Sequence, residues 1–344
     1  MRNPTVVTES GNILQNIGDV HLGRIFKSNV LLTRRGEYEA KQEAVLQQEL
    51  HKKLDSSTVL LPGKGVIRCQ VGDWFDKANV ANRAVLTSWA LLRNYEMTEQ
   101  VPLYIISGNH DDSKSLSEVT SWDVLATFFS QSNQVVFVKK WAVHTFPDET
   151  QVLFVGWNIS NSAAEAYVQA VDAGYTNIKV VVCHLDRVSY GDDSNVIPYD
   201  FFLSKGIEYV ISGHEHKPYM FRENDMQVIG TGSLLPYSHA EDPEQKHYIT
   251  FRSIDEMLEH GLASLIDMHV RLYTEDVASV PELNCLSLQI NKSADIGELE
   301  VAQEVIIESY SAQGIWKATT DELNMPVEAS NQLWQKIQEN NLND

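Results

Sequence analysis

Cysteine is scarce and scattered in this chain. Cys69, Cys183 and Cys285 are its 3 cysteines in 344 residues, and no C-x-x-C pair occurs. A disulfide framework and a cysteine-rich zinc site are thereby excluded, and Cys69 and Cys183, set in apolar runs, read as buried, inert thiols. Long apolar runs are missing too: none approaches the roughly 20 residues that a membrane-spanning helix needs. Met1 to Gly11 holds one Arg and lacks the apolar segment of a secretory signal. The expectation is a cytoplasmic protein with no membrane association. Positive charge is also short, with 27 Lys and Arg against 47 Asp and Glu, a net −20. Proteins that bind nucleic acid through their own surface usually carry a basic patch, because phosphate contacts release counterions. The acid is uneven, however. Glu256 to Asp344 hold 16 acidic against 4 basic residues, and such acidic tails more often serve solubility or partner contact. Upstream, the loops that matter below carry Arg24, Lys27, Arg34, Arg35, Lys77, Lys114 and Lys217. Internal repeats and low-complexity tracts are absent.

What is present is an alternation of short strand-like and longer helix-like stretches. Strands are predicted at Ile13 to Ile17, Val66 to Val71, Val101 to Ser107, Gln134 to Val138, Val152 to Val155, Lys179 to Cys183, Glu208 to Ser212, Met226 to Ile229 and His247 to Phe251. Helices are predicted from about Gly36 to Leu54, Arg83 to Tyr95, Ser117 to Phe129 and Asn161 to Ala173, the first with Val45, Leu46, Leu50 and Leu54 on one side. This pattern predicts an α/β layered fold. A polar stretch near Thr274 to Glu282 marks a composition shift. We place the main domain at 12–278, a small α+β accessory domain at 279–328 and a terminal helix at 329–344.

Five polar clusters stand where an apolar run stops. They are Gly18-Asp19-Val20-His21, Gly72-Asp73-Trp74-Phe75-Asp76, Gly108-Asn109-His110-Asp111, His184, and Gly213-His214-Glu215-His216. If the preceding strands lie parallel in one sheet, their C-terminal ends share an edge, where open α/β sheets bind ligands. Imidazole and carboxylate suit manganese, iron or zinc better than soft copper. In extended backbone, the pairs Asp19-x-His21 and His214-x-His216 each project two ligands to one face. Taken singly, each of these residues is more often a capping, turn or hydrogen-bonded structural residue. Taken together they are not: Gly-Asn-His-Asp alone arises by chance in about one chain in a thousand of this length at average residue usage.

In that order, the five motifs resemble the calcineurin-like metallophosphoesterases, over residues 13–253. Within them, Asp19-Val20-His21-Leu22-Gly23-Arg24, Gly72-Asp73-Trp74-Phe75-Asp76 and Gly230-Thr231-Gly232-Ser233-Leu234 resemble the nuclease subunit SbcD and its archaeal, eukaryotic and phage counterparts. The resemblance implies a four-layer αββα sandwich and a DNA nuclease using two divalent ions, Mn2+ before Mg2+, Fe2+ or Zn2+. It also implies a homodimer partnered with an SbcC-type ABC ATPase. One ion would take Asp19, His21 and His216; the other would take Asn109, His184 and His214; Asp73 would bridge them. His110 would bind the scissile phosphate or protonate the leaving oxygen, with Asp76 orienting its ring. Asp111 and Glu215 would be structural. His51, His144, His239 and His247 match no motif, and Trp74 and Trp157 read as core aromatics before base-stacking ones. The rival readings are a small-molecule phosphatase or cyclic-nucleotide phosphodiesterase, and a scaffold that docks the ATPase through 329–344.

Overall fold

Side chains on successive residues of a strand face opposite ways, so a strand covered on both faces must be apolar throughout. The third strand shows the sorting. Ile67, Cys69 and Val71 enter one buried cluster, while Arg68, on the opposite face, hydrogen-bonds Tyr95 Oη at 3.3 Å. The computed structural model describes residues 2–30, 32–55, 58, 60–113, 118–157, 162–189 and 195–292. They form two large sheets, a third small one and six α-helices.

The first sheet has the order β1 (Thr5–Val7), β2 (Ile13–Ile17), β3 (Val66–Gln70), β4 (Leu103–Ile106), β5 (Val135–Val138), parallel except for the β1 edge. The second contains β6 (Trp141–Thr145), β7 (Gln151–Val155), β8 (Ile178–Cys183), β9 (Tyr209–Ser212), β10 (Tyr219–Glu223) and β11 (Met226–Gly230). Its spatial order is β10-β11-β9-β8-β7-β6, with antiparallel edges flanking a parallel centre. Between the sheets lies a cluster drawn from both, including Leu14, Ile67, Ile106, Phe154, Val180, Val182 and Ile211. Helices α1 (Glu37–Leu50), α2 (Asn82–Thr98) and α3 (Ser121–Phe128) cover the outer face of the first sheet through Leu46, Leu92 and Trp122. Helices α4 (Ala163–Asp172) and α5 (Tyr199–Ser204) cover the second through Ala166, Ala170 and Phe202. The layers are therefore α-β-β-α, as expected.

Three expectations change. The motif-bearing strands are not in one sheet: β2, β3 and β4 belong to the first and β8 and β9 to the second. The edge that carries the five motifs is therefore made by two sheets stacked face to face. Helix α1 stops at Leu50 rather than Leu54. Beyond it, the Lys52 carbonyl accepts from Gln15 Nε2 at 3.2 Å and from the buried Arg68 guanidinium, a use of that carbonyl that a continuing helix would forbid. β14 (Ser287–Asn291), inside the stretch 279–328 expected to form an accessory domain, joins β12 (Tyr248–Phe251) and β13 (His269–Tyr273) in a parallel three-stranded sheet covered by α6 (Ile254–His260). The remainder of the expected accessory domain and the terminal helix lie outside the described residues. No helix among those described is long and apolar enough to cross a membrane.

Three histidines in and beside the small sheet are held neutral by burial. The His239, His247 and His269 imidazoles are each pushed from the ordinary 6.5 down to about 4, by loss of solvent first and by neighbouring cationic groups second. Their folded pKa values lie below the unfolded one, so the unfolded chain binds more protons between about pH 4 and 6.5. Stability is therefore full above pH 6.5 and falls as pH drops toward 4. Urea unfolding followed across that window should show this slope in the wild type and a shallower one in His269→Leu; equal slopes would contradict it.

Candidate metal centre

Each motif begins within one or two residues of a strand end, and the turns are tied to one another by main-chain hydrogen bonds. The amides of Val20 and His21 both donate to the Asp73 carbonyl at 2.9 Å, and Leu234 N donates to the Asp19 carbonyl at 2.7 Å. Asp111 joins the second motif to the third: its carboxylate accepts from Trp74 N, Phe75 N and Gly108 N at 3.0, 2.8 and 2.9 Å. Across the sheets, His214 N donates to Asp19 Oδ2 at 3.0 Å. His21, Asp73 and His214 sit at φ 52°, 52° and 75°. This left-handed region costs a residue with a Cβ roughly 1–2 kcal/mol, and such strain persists where surrounding structure holds it for a purpose.

Two glycines show how tightly the turns approach. Gly72, at φ 104°, would place a Cβ 2.2 Å from His184 Nδ1. A Cβ on Gly213 would lie 2.4 Å from the Val71 carbonyl oxygen and 2.5 Å from Asp19 Oδ1. These positions exclude any side chain because ligand-bearing segments occupy the space.

The four imidazoles are oriented from behind. The Val71 carbonyl lies 2.8 Å from His184 Nδ1. A carbonyl only accepts, so Nδ1 carries the hydrogen and Nε2 keeps its lone pair. That Nε2 faces Asn109 Oδ1 at 3.0 Å, His214 Nδ1 at 3.3 Å and Asp73 Oδ2 at 3.4 Å. His214 turns its other nitrogen, Nε2, to Asp186 Oδ1 at 3.0 Å, and its Nδ1 to Asn109 Oδ1 at 3.0 Å. His216 Nδ1 lies 3.4 Å from Glu241 Oε1, and His21 Nδ1 lies 3.9 Å from Asp76 Oδ1. The inward Nε2 atoms of His21 and His216 are then only 3.0 Å apart, with Asp19 Oδ2 3.8 Å from the latter. Asp73 Oδ2 stands between the two groups, 3.7 Å from His21 Nε2 and 3.4 Å from His184 Nε2.

Lone pairs that face one another at such distances repel unless a cation lies among them. The charge balance points the same way. Asp19, Asp73 and Asp111 are all at most 1% exposed. Burial, then the Asp73 charge, push the Asp19 and Asp111 carboxyls well up from the ordinary range. Burial would raise Asp73 also, but the imidazoles of His184, His21 and His110 hold it well below that range. Burial likewise drives His21 well down, toward the neutral ligand form. Asp19 Oδ1 is buried with no hydrogen-bond partner. Three triads, Asp19-His21-His216, Asp19-Asp73-His184 and His21-Asp76-His110, each bring their donor atoms within 4.8 Å of one another. The donor set fits two divalent cations sharing Asp73, one beside Asp19, His21 and His216, the other beside Asn109, His184 and His214. Asp19, His21, Asp73 and His184 form a buried floor, while Asn109, His214 and His216 are half-buried.

His110 joins this group through its main chain, donating N–H to Asp73 Oδ1 at 2.9 Å. Its ring Nδ1 donates to the Asp76 carbonyl, so the orienting contact assigned to the Asp76 carboxylate comes from the backbone. The carboxylate itself faces His21 and, at 3.8 Å, Arg24. Glu215 faces Arg187 N at 3.3 Å. Trp74 is fully buried and donates Nε1–H to Ser88 Oγ at 2.9 Å. Trp157, half-buried, stacks on His214 with ring centroids 5.2 Å apart. His51, His144, His239 and His247 pair with Glu99, Tyr104, Thr250 and Lys41, away from the cluster.

Four participants were not singled out in the sequence. Asp186 and Glu241 orient His214 and His216. Tyr237 packs edge-on against His21 and His216 at 5.2 and 5.5 Å. Arg2 donates to the carbonyls of His216 and Ser233 at 2.9 and 2.8 Å. Asp186 follows His184 by two residues, which was its local cue; the others carry none. Partners behind ligand histidines are worth about 10–100-fold in metal affinity. Asp186→Ala should therefore weaken Mn2+ binding by about that factor, measured by titration calorimetry, with the circular dichroism spectrum unchanged. Wild-type affinity would show that His214 needs no such support.

A profile of calcineurin-like phosphoesterases matches residues 16–218. Among solved structures, the Thermus thermophilus protein TT1561 is similar at 11% identity and a TM-score of 0.43, over 64% of this chain and 89% of that one. The phosphopantetheinyl hydrolase of Mycobacterium tuberculosis is similar at 14% identity and a TM-score of 0.37, over 68% of this chain and 92% of that one. The matched stretch takes in all five motifs: this chain belongs to the calcineurin-like phosphoesterases, hydrolases that bind divalent metals.

Proposed function

We propose that the chain is a manganese-dependent DNA nuclease, the hydrolytic subunit of an SbcCD-like complex, acting as a homodimer with an SbcC-type ABC ATPase. The observation that carries its phosphodiesterase part is the convergence of inward-facing nitrogen lone pairs and carboxylates into two groups that share Asp73. The DNA and ATPase assignments rest on the Asp19-Val20-His21-Leu22-Gly23-Arg24 string and its companions.

A pair of divalent ions in such a site supplies Lewis acidity, which lowers the pKa of an attacking water and draws charge from the phosphoryl oxygens. The residues of the chain do the rest. Asp73, held well below the ordinary carboxylate range, gives a fixed negative centre between the two groups. His110 has its Nδ1–H committed to the Asp76 carbonyl, so Nε2 is the nitrogen left to meet substrate. Protonated there, it donates to the phosphate or to the departing alcohol oxygen. Arg24 brings a fixed positive charge to the same rim, 3.8 Å from Asp76 and 4.6 Å over the Tyr237 ring. The buried floor excludes water from the carboxylates, which strengthens each of these interactions.

A second reading, a small-molecule phosphatase or cyclic-nucleotide phosphodiesterase, draws support from the net charge of −20, which disfavours a long polyanion. Purified chain with Mn2+ should cleave DNA ends, and cleave them faster with the ATPase partner. Turnover of aryl phosphodiesters with every DNA end left intact would decide for the small substrate. In either case His110→Gln should lower kcat by about 10²–10⁴-fold while Mn2+ affinity stays unchanged. A loss of metal binding in that variant would return His110 to the ligand set.

A further inference from the structure

A second cavity opens one aromatic ring away from the metal centre. It has a volume of about 280 Å³ and lies between the loop that follows the first motif, residues 24–30, and the small sheet. Its charge runs against that of the chain. In a protein with 47 acidic residues, the described lining holds Arg24, Lys27 and Arg271 and no carboxylate. Lys27 is exposed and has no ion pair among the described residues. Arg271 donates Nε–H to the neutral side chain of Gln289 at 3.2 Å. The walls are aromatic: Phe26 and Tyr248 line it with His269. His269 is 3% exposed, and its Nε2 is buried with no hydrogen-bond partner, a donor or acceptor that a bound molecule would satisfy. Tyr237 connects the cavity to the centre, lining one and packing on His21 and His216 of the other.

Lys27 and Arg271, with no ion pair among the described residues, and Arg24, shared with Asp76 at 3.8 Å, together select an anion, and guanidinium groups suit phosphate in particular. Flat aromatic walls with neutral hydrogen-bonding groups select a planar heterocycle. The volume is at the small end for a ligand pocket and admits one such unit, not a duplex. We propose that this cavity binds a single nucleoside monophosphate unit, with phosphate at Arg271, Lys27 and Arg24 and base against Phe26 and Tyr248. Its place beside the metal ligands makes that unit a nucleotide flanking the scissile phosphate, an assignment that rests on the nuclease reading; the same chemistry would also take a free mononucleotide.

Binding is tested apart from hydrolysis. Deoxyadenosine 5′-monophosphate titrated into the full chain in excess chelator should bind, with deoxyadenosine and inorganic phosphate each much weaker. Arg271→Met should weaken it by about tenfold or more, the loss expected for a charge-assisted phosphate contact. Lys27→Ala, which removes only an exposed side chain, should weaken it as well. Asp73→Ala should bind as wild type does, which separates this cavity from the metal centre. No binding in chelator, or one affinity shared by wild type, Arg271→Met and Lys27→Ala, would overturn the proposal. With Mn2+ present, Arg271→Met should raise KM for a short oligodeoxynucleotide while leaving kcat, and turnover of bis(p-nitrophenyl) phosphate, in place. An unmoved KM alongside weakened mononucleotide binding would overturn the flanking-nucleotide assignment and make the cavity a site for the free nucleotide. A chain that cuts no DNA at all would sink the nuclease reading and leave the binding result standing.

Discussion

Buried negative charge held among inward-facing lone pairs is the constraint on which this molecule is built. Asp19, Asp73 and Asp111 sit at or below 1% exposure, where an isolated carboxylate is costly. Asp111 is satisfied by three main-chain amides. Asp19 and Asp73 are only partly so, and the histidines around them are turned so that their protons point away. Val71, Asp186 and Glu241 hold the outer nitrogens of His184, His214 and His216, which turns the opposite ring nitrogens toward the cluster. A cluster with that balance suits divalent cations.

The fold supplies the rigidity this requires. Two sheets stacked through a shared apolar layer fix the ends of β2, β3, β4, β8 and β9 at one edge. Interiors packed to crystal density transmit little slack, so turns at those ends are held even where their backbone is strained. His21, Asp73 and His214 accept left-handed φ values because neighbouring segments hydrogen-bond them in place. The long insertion between the first two motifs serves the same edge. Helix α1 sends Gln42 Nε2 to the Val20 carbonyl and Tyr38 Oη to the Pro236 carbonyl, bracing the loops on both sides of His21.

Much of this was readable in the residues, and the unread parts have physical reasons. The parallel inner strands of the two large sheets were legible as short β-like runs, even where Gln15, Asn16, Arg68 and Gln70 interrupt the apolar pattern, whereas the central strand of the small sheet, His269–Tyr273, was not. Trp141–Thr145 and Tyr219–Glu223 were not legible either, because edge strands are half-exposed and take their form from a neighbour's hydrogen bonds. The sharing of motifs between two sheets was equally silent; an apolar run says that a strand is buried and not which sheet receives it. The residues that converge on the edge were legible from type and spacing, whereas their supports were not. Glu241 lies 25 positions from His216 and Arg2 lies 214 from it, distances over which only the folded chain creates a relation. Asp76 shows a finer limit: its position beside His110 was legible, but the use of its carbonyl in place of its carboxylate was not.

The account stands or falls on two cations sharing one carboxylate. Crystals grown with Mn2+ and measured at its absorption edge would locate them directly. Two anomalous peaks flanking Asp73, one beside Asp19, His21 and His216 and the other beside Asn109, His184 and His214, are the predicted result. A single peak distant from Asp73, or none, would contradict it.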